Sequence, residues 1–473
     1  MSDSKDFSRR DVLAASMGLG IWGGVPLCAE AFQGPPQAGP GGRPAVPPEP
    51  FIPSEGANRP MGEGKGIYPG RVVWVHNPEV ARWDGQTEHL SVKSATGEWW
   101  DDANCDPKIA AAMVSTAIQN LTGMKNDKAA WEALFKNFNK TKGFGNAGYK
   151  RGEKIAIKCN MNNDRSNTQP WPSGRGMPSP QIVHALLRQL VQNAGVPGED
   201  ITFFDATDNR FISDPIYNRI KGDANEELHN IVFQVNPKTA ARGRVAVEPD
   251  TTDPIKFSDP KVGIAYQPKC VVDAKYRVNL ALLRAHSICG VTLTTKNNNG
   301  TLYWPASNYW GPRVYHEYIR KTRGLPAYNA FVDIIGHRQI GGKGLLYIVD
   351  GLYGAEQSET NIVRWQSFDD HWSSSLFMSQ DPVAIDSVGL DFIRNEPRAA
   401  GVQGPGHPDN FLHEAALVDN PPSGTKYDPE QDGSVLTKSL GVHEHWNNPK
   451  EKKYSRNLGK KEGIELVALS AKA

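Results

Sequence analysis

The stretch from Gly152 to Asp205 constrains the fold of this chain more than any other, because it reads strand, long crossover, strand. Gly152-Glu153-Lys154-Ile155-Ala156-Ile157-Lys158-Cys159-Asn160 is an apolar strand opened by a turn. A polar loop over 161–179 leads to Pro180 and a helix with Ile182, Ala185, Leu186, Leu190 and Val191, stopped by Gly195. Ile201-Thr202-Phe203-Phe204-Asp205 is the next strand. Strands joined by a crossover that long lie parallel, and parallel sheets are covered on both faces. The expected fold class is therefore α/β, a three-layer-like body with a mainly parallel sheet and long loops.

The remaining pattern fits that class. An apolar strand spans 70–76 and gives way to His76-Asn77-Pro78; helical spacing follows over 107–122 and 129–138. Extended or short helical pieces occupy 261–283. A strand over 344–349 runs into Asp350-Gly351, and 374–379 leads through Asp381-Pro382 into a helix reaching Phe392. The chain is loop-rich beyond Gly401 and closes on a strand at 463–468.

The N-terminus reads as an address. Ser8-Arg9-Arg10-Asp11-Val12-Leu13 precedes a weakly apolar stretch to Leu27 and a small-residue Ala29-Glu30-Ala31 cleavage pattern. That order is a signal peptide of the twin-arginine kind, and its apolar stretch is too short for a stable membrane span. The expected division is signal 1–31, Pro/Gly-rich tether 32–66, body 67–400, and an extension 401–473 packed on the body. The expected location is the periplasm or the extracellular space, with the twin-arginine export machinery as a partner. A net charge of +1 offers no field for nucleic acid or an anionic membrane. Five cysteines without a Cys-x-x-Cys pair argue against an iron–sulfur cluster. The four outside the signal allow two disulfides at most.

Ligands in open α/β sheets sit beyond the carboxyl ends of strands. Lys158 and Asn160 project to one side at such an end, Asp205 and Asp208 follow the next strand, and Asp350 ends a third. The densest polar stretch runs from Arg284 and His286 through Thr292 to Lys296, Asn297 and Gly300. Lys296 among hydroxyls and amides suits phosphate, sulfate or carboxylate, and His286 suits proton transfer or metal ligation. Asp381 can cap the helix begun by Pro382. Asp386 lies in an apolar helical turn and needs a cation, a hydrogen-bond network or a metal. His443 and His445 flank Glu444 and point one way in an extended chain, an arrangement open to a divalent metal ion. The zinc-protease His-Glu-x-x-His is absent, since His413-Glu414 has no second histidine, and Gly341-Gly342-Lys343-Gly344 lacks the Ser or Thr of a phosphate loop. Tryptophans in expected loops, among them Trp304, suit a sugar or aromatic ligand as well as they suit packing.

These same residues carry a family resemblance. Gly152 to Asn160, the Leu283-Arg284-Ala285-His286 segment through Gly290-Val291-Thr292 to Lys296-Asn297, Ile348-Val349-Asp350-Gly351 and Ser379-Gln380-Asp381-Pro382-Val383-Ala384-Ile385-Asp386 resemble, in order, four segments of the domain of unknown function family DUF362. The resemblance implies that Lys158, Asn160, His286, Lys296, Asn297, Asp350, Asp381 and Asp386 share one site. Arg284 stands where the family usually has lysine, and the cysteine clusters of many relatives are missing. The segment around His443 lies outside the resemblance.

Three functions fit these residues. The first is an exported enzyme acting on an anionic or polyhydroxylated small molecule by hydrolysis or elimination, with a divalent metal ion as an optional cofactor. Its machinery would be His286, Lys296, Lys158 and Asp350, with Asn160, Arg284, Asn297, Thr292 and Trp304 on the ligand and Asp386, Asp381, His443 and His445 on the metal. The second is a periplasmic solute- or glycan-binding protein. The third is a redox protein whose cofactor is not held by cysteine.

Overall fold

A computed structural model describes residues 51–87, 91–161, 171–208, 210–304, 313–357, 360–399 and 401–471. The twin-arginine segment, and the tether up to residue 50, lie outside the described residues. Nine strands form the main path of one sheet: β1 (Arg71–His76), β2 (Ile155–Lys158), β3 (Ile201–Asp205), β4 (Val232–Val235), β5 (Val245–Ala246), β6 (Tyr276–His286), β7 (Gly344–Ala355), β8 (Ser375–Ser379) and β9 (Glu465–Leu469). Their spatial order is β9-β1-β8-β7-β6-β2-β3-β4-β5. Only β8 opposes the other strands of this path, pairing antiparallel with both β7 and β1. The α/β expectation with a mainly parallel sheet describes the molecule.

The order contains a reversal. From β2 the chain builds outward through β3, β4 and β5, then returns to lay β6 on the other side of β2 and builds away through β7 and β8. The carboxyl ends of β2 and β6 therefore diverge into helices and loops on opposite sides, the switch point at which open α/β sheets place their ligand crevice.

Both faces of the sheet are buried, which explains the near-continuous apolar runs. Leu346, Ile348, Leu376 and Met378 enter one core, while Tyr347, Val349 and Phe377 enter the other. The first core packs α1 (Pro107–Thr122), α2 (Asp127–Thr141), α3 (Pro180–Arg188) and α4 (Asp214–Lys221) onto the sheet. The second packs a short α5 (Thr294–Asn297), then α6 (Pro382–Arg394) and α7 (Asn410–Ala416), on the opposite face.

Local chemistry sets the ends of α1. Asp106 accepts from the Lys108 and Ile109 N–H groups at 2.9 and 3.1 Å, and Pro107 opens the first turn. Gly123 closes it at φ 71°, a left-handed conformation that suits glycine. Ile109, Met113 and Leu121 are buried in between, each worth about 1.5–3 kcal/mol against exposure.

Two expectations change. The pieces foreseen over 261–283 include the start of an eleven-residue strand, β6, whose first ten residues are buried. A strand buried on both faces has no alternation to reveal it. The tether was expected to extend to residue 66, yet 51–66 is docked. Phe51 is buried, and the Asn58 and Met61 N–H groups donate to the carbonyls of His445 and His443 at 2.9 and 2.8 Å. Such a segment lacks side chains for a core, but its backbone groups still find partners along the tail. Pro48–Ala473 is one compact unit, so the loop-rich extension belongs to the body. No helix among the described residues is long and apolar enough to cross a membrane.

Candidate functional site

The switch point gathers most of the polar residues that the sequence singled out. Arg284, fully buried near the end of β6, donates from Nη2 to Asn160 Oδ1 at 2.8 Å, a bond that spans the switch from β6 to the residues following β2. Lys158 is also buried: its Nζ lies 3.2 Å from Asp205 Oδ2, donates to Asn297 Oδ1 at 3.2 Å and bonds the Cys159 carbonyl. Asn297 returns Nδ2 to Asn279 Oδ1 at 2.8 Å and to the Leu280 carbonyl at 3.1 Å. A side chain at Gly300 would meet Lys158 Nζ at 2.4 Å and Asp205 Oδ1 at 2.5 Å, so it would displace this buried pair. These groups satisfy one another and fix the floor of the crevice.

Above the floor stand His286 and Lys296, both partly exposed. His286 Nδ1 accepts from the Ile288 and Cys289 N–H groups at 3.1 and 3.4 Å, which leaves the ring proton on Nε2. Burial, reinforced by the charges of Lys296, Arg284 and His316, pushes its pKa well below the usual imidazole range. It is therefore neutral and a hydrogen-bond donor at physiological pH. Thr292 is buried beside β6, its N–H bonded to the Arg284 carbonyl at 2.8 Å, and its hydroxyl has no partner among the described residues. Arginine, lysine and a neutral N–H donor make this an electropositive site fit for an anion.

The predicted carboxylates hold the elements around the switch point together, except Asp381. Asp350 accepts from the Ser179 N–H at 2.6 Å and the Leu352 N–H at 3.0 Å, tying the start of α3 to β7, and burial raises its pKa. Asp381 follows β8, the opposing strand, and so falls toward the amino end of β7, away from Asp350. Its Oδ1 caps α6 through Val383 and Ala384, its Oδ2 accepts from Lys65 and Val442, and burial pushes its pKa up to about 6. Asp386 accepts from the N–H and hydroxyl of Thr294 at 2.8 and 2.6 Å and from the Thr295 N–H at 2.8 Å, holding α5 against α6; burial likewise lifts it to about 6. Both aspartates spend their oxygens on backbone donors. Trp304 stacks on Phe257 at 5.5 Å, while Trp99, Trp171, Trp372 and Trp446 are buried in the cores. Cys105, Cys159, Cys270 and Cys289 are free thiols. A groove of about 690 Å³ is lined by Trp100, Asp102, His184, Arg219 and Asp223, but its charges pair as Arg219 with Asp102 and His184 with Asp223.

His443 and His445 sit in a second cluster that also draws in Glu55, Asp409 and His413. The Nε2 atoms of all three histidines lie 3.1 Å from Glu55 Oε1, and Asp409 Oδ2 stands 3.9 Å from Nε2 of both His413 and His445. His443 Nδ1 bonds Ser387 Oγ at 2.8 Å and His445 Nδ1 bonds Asp391 Oδ1 at 2.6 Å, both partners on α6. Burial pushes His443 down to about 4; against the same cost, Asp391 lifts His445 well above its usual range. Burial opposes ionisation of Glu55, yet the three imidazoles hold its carboxyl far below the usual range. The sequence pointed to the two tail histidines only. The missed signal was Asp409 with His413 four residues on, one face of a helix turn.

A doubly wound α/β protein with an electropositive crevice at its switch point is thus the class that fold and site define. The chain belongs to the family described as a domain of unknown function (DUF362), whose model matches residues 155–391, about half of the chain. A comparison with curated proteins finds no match. The crevice lies inside the matched segment; Glu55, Asp409, His413, His443 and His445 all lie outside it.

Proposed function

We propose that this protein is an exported enzyme that cleaves an anionic small molecule, by hydrolysis or elimination, in the crevice between the ends of β2 and β6. The observation that carries the reading is the Arg284–Asn160 bond across the switch point, with His286, Lys296 and the Thr292 hydroxyl, which has no partner among the described residues, beside it. Lys296 supplies charge to a phosphate, sulfate or carboxylate. His286, neutral and protonated on Nε2, donates a hydrogen bond to the anion and to the negative charge that develops as the bond is cleaved. Lys158, Asn297 and Asp350 are positioning residues in this reading. Export rests on Arg9 and Arg10 ahead of the apolar stretch.

A thermal-shift panel of phosphate, sulfate and carboxylate compounds, followed by turnover assays on those that bind, tests the proposal. Stabilisation by one anion class, diminished in Lys296→Met, is expected. Stabilisation without turnover identifies a binding protein, and an unchanged shift in Lys296→Met removes the crevice from the account. A periplasmic reporter fused after residue 31 should lose export when Arg9 and Arg10 are both replaced by lysine.

A further inference from the structure

We infer that His413, His443, His445, Asp409 and Glu55 hold one divalent transition-metal ion, which clamps the N-terminal segment and the tail to α7. This goes beyond the proposed function, since no step in the crevice requires it. The donors come from three separate segments: Glu55 from the docked 51–66 stretch, Asp409 and His413 from the start and body of α7, and His443 and His445 from the tail. One ligand atom each from Glu55, Asp409, His413 and His443 lies within 4.8 Å of the others. His445 Nε2 reaches the same Glu55 oxygen at 3.1 Å.

The hydrogen bonds around the cluster fix what faces inward. Ser387 Oγ donates to the Val383 carbonyl at 2.7 Å, so it accepts from His443 Nδ1–H, and the lone pair on Nε2 turns into the cluster. His445 Nδ1–H donates to Asp391, with the same result. Asp409 is fully buried, and neither carboxylate oxygen has a hydrogen-bond partner among the described residues. The inward nitrogens of His443 and His445 therefore face the Glu55 and Asp409 carboxylates, an arrangement that is unfavourable unless a proton or a metal ion lies between them. Imidazoles backed at Nδ1 by a carboxylate or hydroxyl are the usual support of metal-ligating histidines. Three imidazole nitrogens with carboxylate oxygens favour zinc, iron(II), cobalt(II) or manganese(II) over magnesium or calcium, which prefer oxygen alone. Burial and the full set of protein donors make the site a closed, structural one.

The test is elemental analysis of the full chain purified without chelator, followed by chelation and titration with Zn²⁺ or Co²⁺. About one transition-metal ion per chain is expected, with one-to-one re-binding and tetrahedral or five-coordinate visible bands for cobalt. Asp391→Asn should weaken affinity by about 10–100-fold. Glu55→Gln, which leaves four donors, should still bind one ion, and His413→Ala and His443→Ala should lose it. A folded, metal-free wild-type chain that takes up none of zinc, cobalt, iron(II) or manganese(II) would falsify the inference, whatever the variants do. Unchanged affinity in folded His413→Ala would equally contradict it.

Discussion

The crevice and the histidine cluster both gather ionisable side chains, and they are built with opposite sign. In the crevice, Lys158 and Asp205 neutralise each other at the floor, and arginine, lysine and an N–H donor surround what is left. In the cluster, three imidazole Nε2 atoms converge on one Glu55 oxygen, and the Asp409 carboxylate beside them has no hydrogen-bond partner among the described residues. The sign of the groups gathered at each place, and not residue type, points to its ligand. Residue type alone had placed histidine and aspartate in both. Helix α6 serves the two: Asp386 steadies α5 below the crevice, while Ser387 and Asp391, one turn apart, orient His443 and His445.

Breaking each region should cost differently. The largest effect is expected from Asp391→Ala. It strands His445 Nδ1, Arg394, the Tyr454 hydroxyl and the Trp446 N–H, which now bond that carboxylate at 2.6 to 2.9 Å. Denaturant unfolding should register about 5 kcal/mol, the upper end for breaking a buried ionic network. Lys158→Met follows at about 3 kcal/mol, because Asp205 keeps donors from Met161 and Thr207 when the lysine leaves.

Lys296→Met sharpens the contrast, since it should act on the ligand and not on the fold. Calorimetric titration should show anion affinity reduced about tenfold, near 1.4 kcal/mol, with stability within about 0.5 kcal/mol of wild type.

The smallest effect concerns pH. Asp386 titrates at about 6 in the folded chain against an ordinary 3.8, so between these values the folded state holds the extra proton. Its contribution to stability is therefore full below pH 3.8 and is lost as pH rises through 6. Asp386→Asn should flatten the stability profile across that window, read from urea unfolding at several pH values.

Much of this was legible in the sequence where local signals act alone. Asp106-Pro107 and Gly123 mark the ends of α1, and the crossover from β2 to β3 announces a parallel sheet. Lys158, Asn160, Arg284, His286, Lys296 and Asn297 gather at one crevice because β2 and β6 became neighbours, a pairing no local pattern encodes. Asp350, Asp381 and Asp386 looked like site residues because a lone carboxylate in an apolar run demands a partner. Their partners are backbone N–H groups on other elements. The direction of β8 then carries Asp381 away from Asp350. Glu55 was beyond reach, since a Pro/Gly-rich stretch gives no sign of docking until the tail offers its edge.

The most direct test of the crevice is a crystal structure of the protein grown with selenate, an anion located by its anomalous scattering. A peak is expected beside Lys296 and His286 at the ends of β2 and β6. Peaks confined to other surfaces, with those side chains turned onto each other, would contradict that expectation.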